Sequence, residues 1–176
     1  MGFQTPITIE KALQRIATHQ FVLPAIQREF VWKPAQICRL FDSLMRGYPI
    51  GSFLFWQVDQ KNTRQFSFYD FVLNYHQWLH PHCPRLSLTG ERSVIAILDG
   101  QQRLTALNIG LRGSLAVKLP RKRYTNLQAY PVRTLHLNLL SEAVENDDGV
   151  QYDFRFLKEG QEGCLLYTSP SPRDDR

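Results

Sequence analysis

The sequence predicts an α/β (α+β) domain, and three observations carry that prediction. Ser93–Leu107 runs from an apolar, β-branched stretch through Asp99-Gly100 directly into a helical pattern, as a buried strand feeding a helix would. Elsewhere, segments with apolar residues at helical spacing alternate with short apolar runs bounded by Gly or Pro. The chain has 176 residues, 43% hydrophobic and 12% aromatic, enough for one domain with an ordinary core and too apolar for disorder throughout.

Each element has a local reason. Thr8 is placed to cap a first helix whose Ile9, Leu13 and Ile16 share one face. Phe21-Val22-Leu23 reads as a short strand ended by Pro24. Pro34 suits the first turn of a second helix with Ile37, Leu40, Phe41, Leu44 and Met45 on its apolar face, and Gly47 stands where a C′ glycine belongs. Gly51–Val58 is apolar on both faces and is expected to be a buried strand. Residues 60–92 show no sustained period, so an irregular insertion is expected there, with a short helix around Phe71–Leu79. After the strand–turn–helix comes a basic loop at Arg121, Lys122, Arg123 and Tyr124. Alternation then predicts a half-buried strand over Val132–Leu139. A second follows over Val150–Phe156, after a turn at Asn146-Asp147-Asp148-Gly149.

The bulk numbers narrow the setting. With 21 Lys and Arg against 16 Asp and Glu, the formal charge is +5, compatible with a polyanionic partner and also with a merely solvated basic surface. Three scattered cysteines, Cys38, Cys83 and Cys164, argue against a disulfide framework. Glu10 and Lys11 interrupt any signal-peptide core, and no apolar run nears the roughly 20 residues that span a bilayer. A soluble, cytoplasmic protein with no membrane partner is expected. The last stretch, Gly163–Arg176, changes character abruptly and resembles translated adapter read-through. The expectation is a domain over 1–162 that is cut short, followed by a non-native tail over 163–176; an ordinary Ser/Pro-rich tail is the other reading.

Four constellations bear on chemistry. Asp99-Gly100-Gln101-Gln102-Arg103 sits where a strand turns into a helix, and backbone N–H groups at such a turn can hold an anion. Asp99 and Gln102 also have capping-box spacing, which needs no ligand, but this leaves Gln101 and Arg103 unexplained. A second Gln-Arg pair, Gln27-Arg28, lies between a strand and a helix; Trp32 after it suits a core anchor better than a base-stacking platform. Gly47-Tyr48-Pro49-Ile50-Gly51 is a defined loop able to approach a ligand or simply to join helix to strand. His76, His80, His82 and Cys83 cluster without a second pair at metal spacing, so no metal site is expected. There is no G-x-S-x-G and no Walker A pattern, which excludes a P-loop NTPase.

Three segments in this order resemble a known family. Pro24–Trp32, Gly47–Ser52 and Ile97–Thr105 are similar to the N-terminal, GmrS-like domain of GmrSD-type restriction proteins, and the similarity covers most of residues 6–160. The resemblance implies a ParB/sulfiredoxin-like fold, a mixed sheet with flanking helices. It also implies a nucleoside triphosphate with Mg²⁺ as cofactor, DNA as partner of the full-length protein, and control of an HNH-type nuclease domain in cis or in trans. Carried over residue by residue, it assigns Gly100, Gln101, Gln102 and Arg103 to the nucleotide, with Gln27 and Arg28 as co-ligands. Asp99 and Arg103 would take catalytic roles if hydrolysis occurs. No HNH-like cluster of His and Asn is present, so DNA cleavage is not carried over. Glutamines occupy the position where sulfiredoxin has its cysteine, so neither is its chemistry. The alternatives are a ParB-like DNA-binding module without nucleotide chemistry, using Arg121–Arg123 for phosphates, and a partner that only scaffolds.

Overall fold

The computed structural model describes residues 5–25, 29–88, 93–140, 143 and 149–161, together with the backbone of 166–168. Gln27, Arg28, the turn at 146–148 and nearly all of the suspected tail lie outside the described residues.

The helices form where local chemistry asks for them. Helix α1 spans Ile9–Ala17, with Thr8 Oγ1 accepting from the Lys11 N–H at 3.2 Å. Its Ala12, Leu13 and Ile16 are buried. Helix α2 spans Pro34–Met45 with Pro34 in its first turn. It ends in a Schellman motif: Gly47 adopts φ +73°, its N–H donates to Leu44 O and that of Tyr48 donates to Ser43 O. Ile37, Leu40 and Phe41 of α2 are buried, but Met45, expected on the same face, is half exposed at 50%. Helix α3, Gln101–Arg112, is different in kind, with every residue from Leu104 to Gly110 buried.

Ten strands make two sheets. Strands β1 (Phe21–Pro24), β2 (Leu54–Val58), β3 (Phe68–Tyr69), β5 (Arg85–Leu86) and β6 (Val94–Asp99) form the first, in the order β2-β6-β1-β3-β5. Strand β1 runs parallel to β6 with Phe21 opposite Ile95, and the other pairings are antiparallel. Strands β4 (Asn74–His76), β7 (Ser114–Ala116), β8 (Val132–Asn138), β9 (Phe154–Leu157) and β10 (Leu166–Thr168) form the second, in which β4 is parallel to β7 and β8 pairs with β7, β9 and β10. Helix α3 connects the sheets, leaving β6 of the first and entering β7 of the second. The main core gathers Leu13, Phe21, Ile37, Phe41, Ile97, Leu107, Ile109 and Leu135 around α3.

Three local expectations are corrected. The strand expected over Gly51–Val58 starts at Leu54 and is an edge strand, so of its residues only Val58 is buried. No helix forms around Phe71–Leu79; Phe71 and Val72 are buried and Asn74–His76 is a strand beside β7. Residues 60–92 are therefore joined to both sheets through β3, β4 and β5 rather than set apart from them. Their strands are two or three residues long, too short to show a period.

A buried carboxylate ties α2 to the second sheet. Asp42 is 4% exposed, and its Oδ1 accepts the N–H groups of Gln151 and Tyr152 at 2.9 and 2.8 Å. Arg46 Nη1 stands 3.4 Å from Asp42 Oδ2 and donates to Gly149 O at 2.7 Å. The aspartate thus spends its charge on backbone donors and one guanidinium, as a buried carboxylate must.

Candidate functional site

The site is the turn from β6 into α3. Gly100, at φ +88°, is the residue that caps the helix, in a left-handed conformation that glycine tolerates. A side chain there would also strike Phe53, whose Cδ1 lies 2.2 Å from an ideal Cβ. The expected capping box between Asp99 and Gln102 does not form: no side chain caps α3, and both residues turn elsewhere. With glycine at the N-cap, Asp99 sits one position too early to reach the first N–H groups.

Gln102 instead clamps a distant strand exit. Its Nε2 donates to Glu29 O at 2.9 Å and its Oε1 accepts the Val31 N–H at 3.1 Å. Both donor and acceptor of one amide are matched to the backbone that follows Gln27-Arg28. Gln101 Nε2 donates to Ile97 O at 2.7 Å, so it turns back onto β6.

Arg103 binds the third segment. Its guanidinium donates through Nη1 to Ile50 O and through Nη2 to Ser52 O at 2.7 Å. It also lies over the Phe53 ring, 4.7 Å from its centroid, and Nη2 is 3.4 Å from Asp99 Oδ2. The planar fork of arginine suits two carbonyls on alternate residues, which lysine could not match. Between those carbonyls Gly51, at φ +87°, leaves room for the guanidinium. Asp99 itself is open to solvent, 67% exposed at its side chain against 19% for Arg103.

The structure thus brings together all three segments singled out in the sequence: 99–103, the 29–31 part of the second, and the 50–52 loop. Asp99, Gly100, Gln101, Gln102 and Arg103 stand at one place; Gln27 and Arg28 lie outside the described residues. What the sequence missed is the partner set. Gln102 reaches 73 residues back and Arg103 53 residues back, separations that leave no local pattern.

The histidine-rich stretch is a turn, not a cluster of ligands. His76 Nδ1 accepts the N–H groups of Trp78 and Leu79, at 3.3 and 3.1 Å, and His82 Nδ1 lies 2.9 Å from Glu29 Oε1. Among the described residues no three His, Cys, Asp or Glu groups converge as a metal site. Burial pushes the Cys38 thiol up to about 12 and that of Cys83 up to about 11, so neither is a ready nucleophile. No helix among the described residues is long and apolar enough to cross a membrane.

Comparison with known proteins fits this geometry. A family model described as the GmrSD restriction endonuclease N-terminal domain matches residues 9–166. An uncharacterized protein of Methanocaldococcus jannaschii is 35% identical over 88 residues, 50% of this chain. The chain covers only 14% of that relative's length. With the family match running through nearly all of its elements, the chain belongs to the GmrSD restriction endonuclease N-terminal domains.

Proposed function

We propose that this domain is the nucleoside-triphosphate-responsive control unit of a restriction endonuclease, with the polyphosphate held at the first turn of α3. One observation carries the reading. The helix start has no side-chain cap, although an aspartate and two glutamines stand beside it. The first N–H groups of an α-helix have no partner inside the helix, and an anion satisfies them while meeting the positive end of the dipole. The charge of Arg103 lies one turn away and adds to that field.

The side chains divide their labour in this reading. Gln102 and Arg103 hold the backbone at 29–31 and 50–52 against the turn, so three segments form the walls. Arg28, one peptide from the clamped Glu29, supplies a second cation for the phosphates, and Gln27 a further donor. Asp99, exposed at the rim, has the charge and hardness to hold the hydrated Mg²⁺ that accompanies a triphosphate. Hydrolysis, if the bound triphosphate turns over, draws on positioning and electrostatics from Asp99 and Arg103. The nuclease domain, the DNA it cuts and a role in phage defence belong to the full-length protein.

Calorimetry of the purified chain with each nucleoside triphosphate, with and without Mg²⁺, tests this. Saturable binding by the wild type, weakened at least ten-fold in Arg103→Ala, is the expected result. Absence of binding by every triphosphate, or unchanged affinity in Arg103→Ala, overturns it. Triphosphate turnover measured with and without DNA then separates a hydrolase from a sensor.

A further inference from the structure

A second feature lies in the loop that joins β7 to β8, away from the α3 turn in sequence and built from different residues. Arg121, Lys122 and Arg123 are exposed there, and among the described residues none of their side chains forms an ion pair. Beside them is an aromatic triangle. Trp78, Tyr124 and Tyr130 have ring centroids 5.8 to 6.0 Å apart, and His76 stacks on Tyr130 at 5.2 Å. Tyr130 is buried, Trp78 is half-buried, and Tyr124 at the rim is 54% exposed.

The loop is braced from within. Leu119 N–H donates to Ala129 O at 2.8 Å, Tyr130 Oη donates to Tyr124 O at 3.0 Å, and Lys118 N–H donates to Gln77 Oε1 at 2.8 Å. Lys118 Nζ donates to the carbonyls of Leu119 and Lys122. Its charge therefore holds the loop, while the three cations beyond it are left to solvent. Arg121 sits at φ +60°, a left-handed conformation rare for a residue with a side chain. Such positions persist only where the surroundings impose them, and they gather at ligand sites.

An exposed ring on a buried aromatic base, next to unpaired cations on a fixed loop, matches one chemistry. Proteins that hold unpaired nucleic acid stack bases on aromatic rings and meet the backbone with basic residues. Duplex DNA would use only the cations, because its bases are already stacked. We propose that Tyr124 and Trp78 form a stacking platform for an unpaired nucleotide whose flanking phosphates are met by Arg121, Lys122 and Arg123. This site is separate from the one assigned to the triphosphate and does not rest on it.

The test is fluorescence anisotropy on the full chain without added nucleotide, using a labelled oligothymidine of about a dozen nucleotides. A strand of equal length with abasic sites at its centre and a duplex of equal length complete the set, and quenching of tryptophan emission reports stacking. The intact single strand is expected to bind at least ten-fold more tightly than the abasic strand, and to quench emission. Tyr124→Ala should weaken it about ten-fold, while Tyr124→Phe, which keeps the ring, should bind like the wild type. The double variant Arg121→Ala/Arg123→Ala should lower the slope of log affinity against log salt by about 1.4. Equal affinity for the abasic strand or the duplex, or failure of any strand to bind, overturns the proposal. So does an unaltered affinity in Tyr124→Ala.

Discussion

Gly51 lies against Arg103 so closely that a Cβ on the glycine would stand 2.5 Å from Nη1. The contact is not free to relax, because the guanidinium is held by the carbonyls on either side of that glycine. Gly51→Ala must therefore break one of those bonds and also pay for φ +87°. A loss of about 2 kcal/mol is expected, or roughly 4–8 °C in thermal midpoint by calorimetry. Gly47→Ala is the control: its φ is +73° but nothing lies within 4 Å, so it should cost about half as much.

Gln102 holds the exit of β1 by both ends of its amide. Gln102→Ala should cost only about 1 kcal/mol in global stability, since the group is partly open to water. Its larger effect is expected locally, as faster amide exchange at Val31 with little change in the core of α3. Gln102→Glu keeps an acceptor for Val31 but sets a carboxylate against Glu29 O, and should raise exchange further. Unchanged exchange at Val31 in both variants would show that the clamp is not needed.

Asp42 accepts two backbone N–H groups while buried, so its removal leaves both without partners and deprives Arg46 of its counter-charge. Asp42→Ala is expected to destabilise by about 3 kcal/mol, read as a midpoint lowered by roughly 6–12 °C. Asp42→Asn retains Oδ1 as acceptor and should fall between. A midpoint equal to that of the wild type in Asp42→Ala would contradict the anchoring role.

Burial, aided by the neighbouring His80, lowers the affinity of His76 for a proton below the ordinary imidazole value of 6.5. The unfolded chain then binds the proton more readily than the folded one, so stability rises with pH. The contribution is complete above 6.5 and is lost as pH falls below it toward the folded value. The neutral ring is needed because Nδ1 accepts from Trp78 and Leu79. A tryptophan emission titration of wild type against His76→Gln should show a transition below pH 6.5 that the variant lacks.

The parts of the fold legible in the sequence are those fixed by neighbours along the chain. Thr8, Pro34 and Gly47 mark helix ends through bonds that span three to five residues, and each acts as its residue type suggests. Strand β8 shows its alternation because it is seven residues long. Strands β3, β4 and β5 are held by partners 15 or more residues away and are too short to carry a pattern. The site divides in the same way. The turn at Asp99-Gly100 was readable as a strand feeding a helix, and its two companion segments as places of interest. The capping box was a false reading of correct residues: glycine's left-handed conformation moved the N-cap by one position and freed Gln102 for a task that only the folded chain reveals.

Helix α3 has no solvent face from Leu104 to Gly110, and it begins at the edge of one sheet and ends at the edge of the other. Twelve residues make a rod about 18 Å long. Gly110 lets Phe41 press against it, and Gly113 brings the backbone at Leu73 to its far end. A close-packed rod of this kind cannot tilt at one end without moving the other, since interiors resist compression. Whatever engages its first turn is mechanically linked to β7, and through β7 to the braced basic loop beyond.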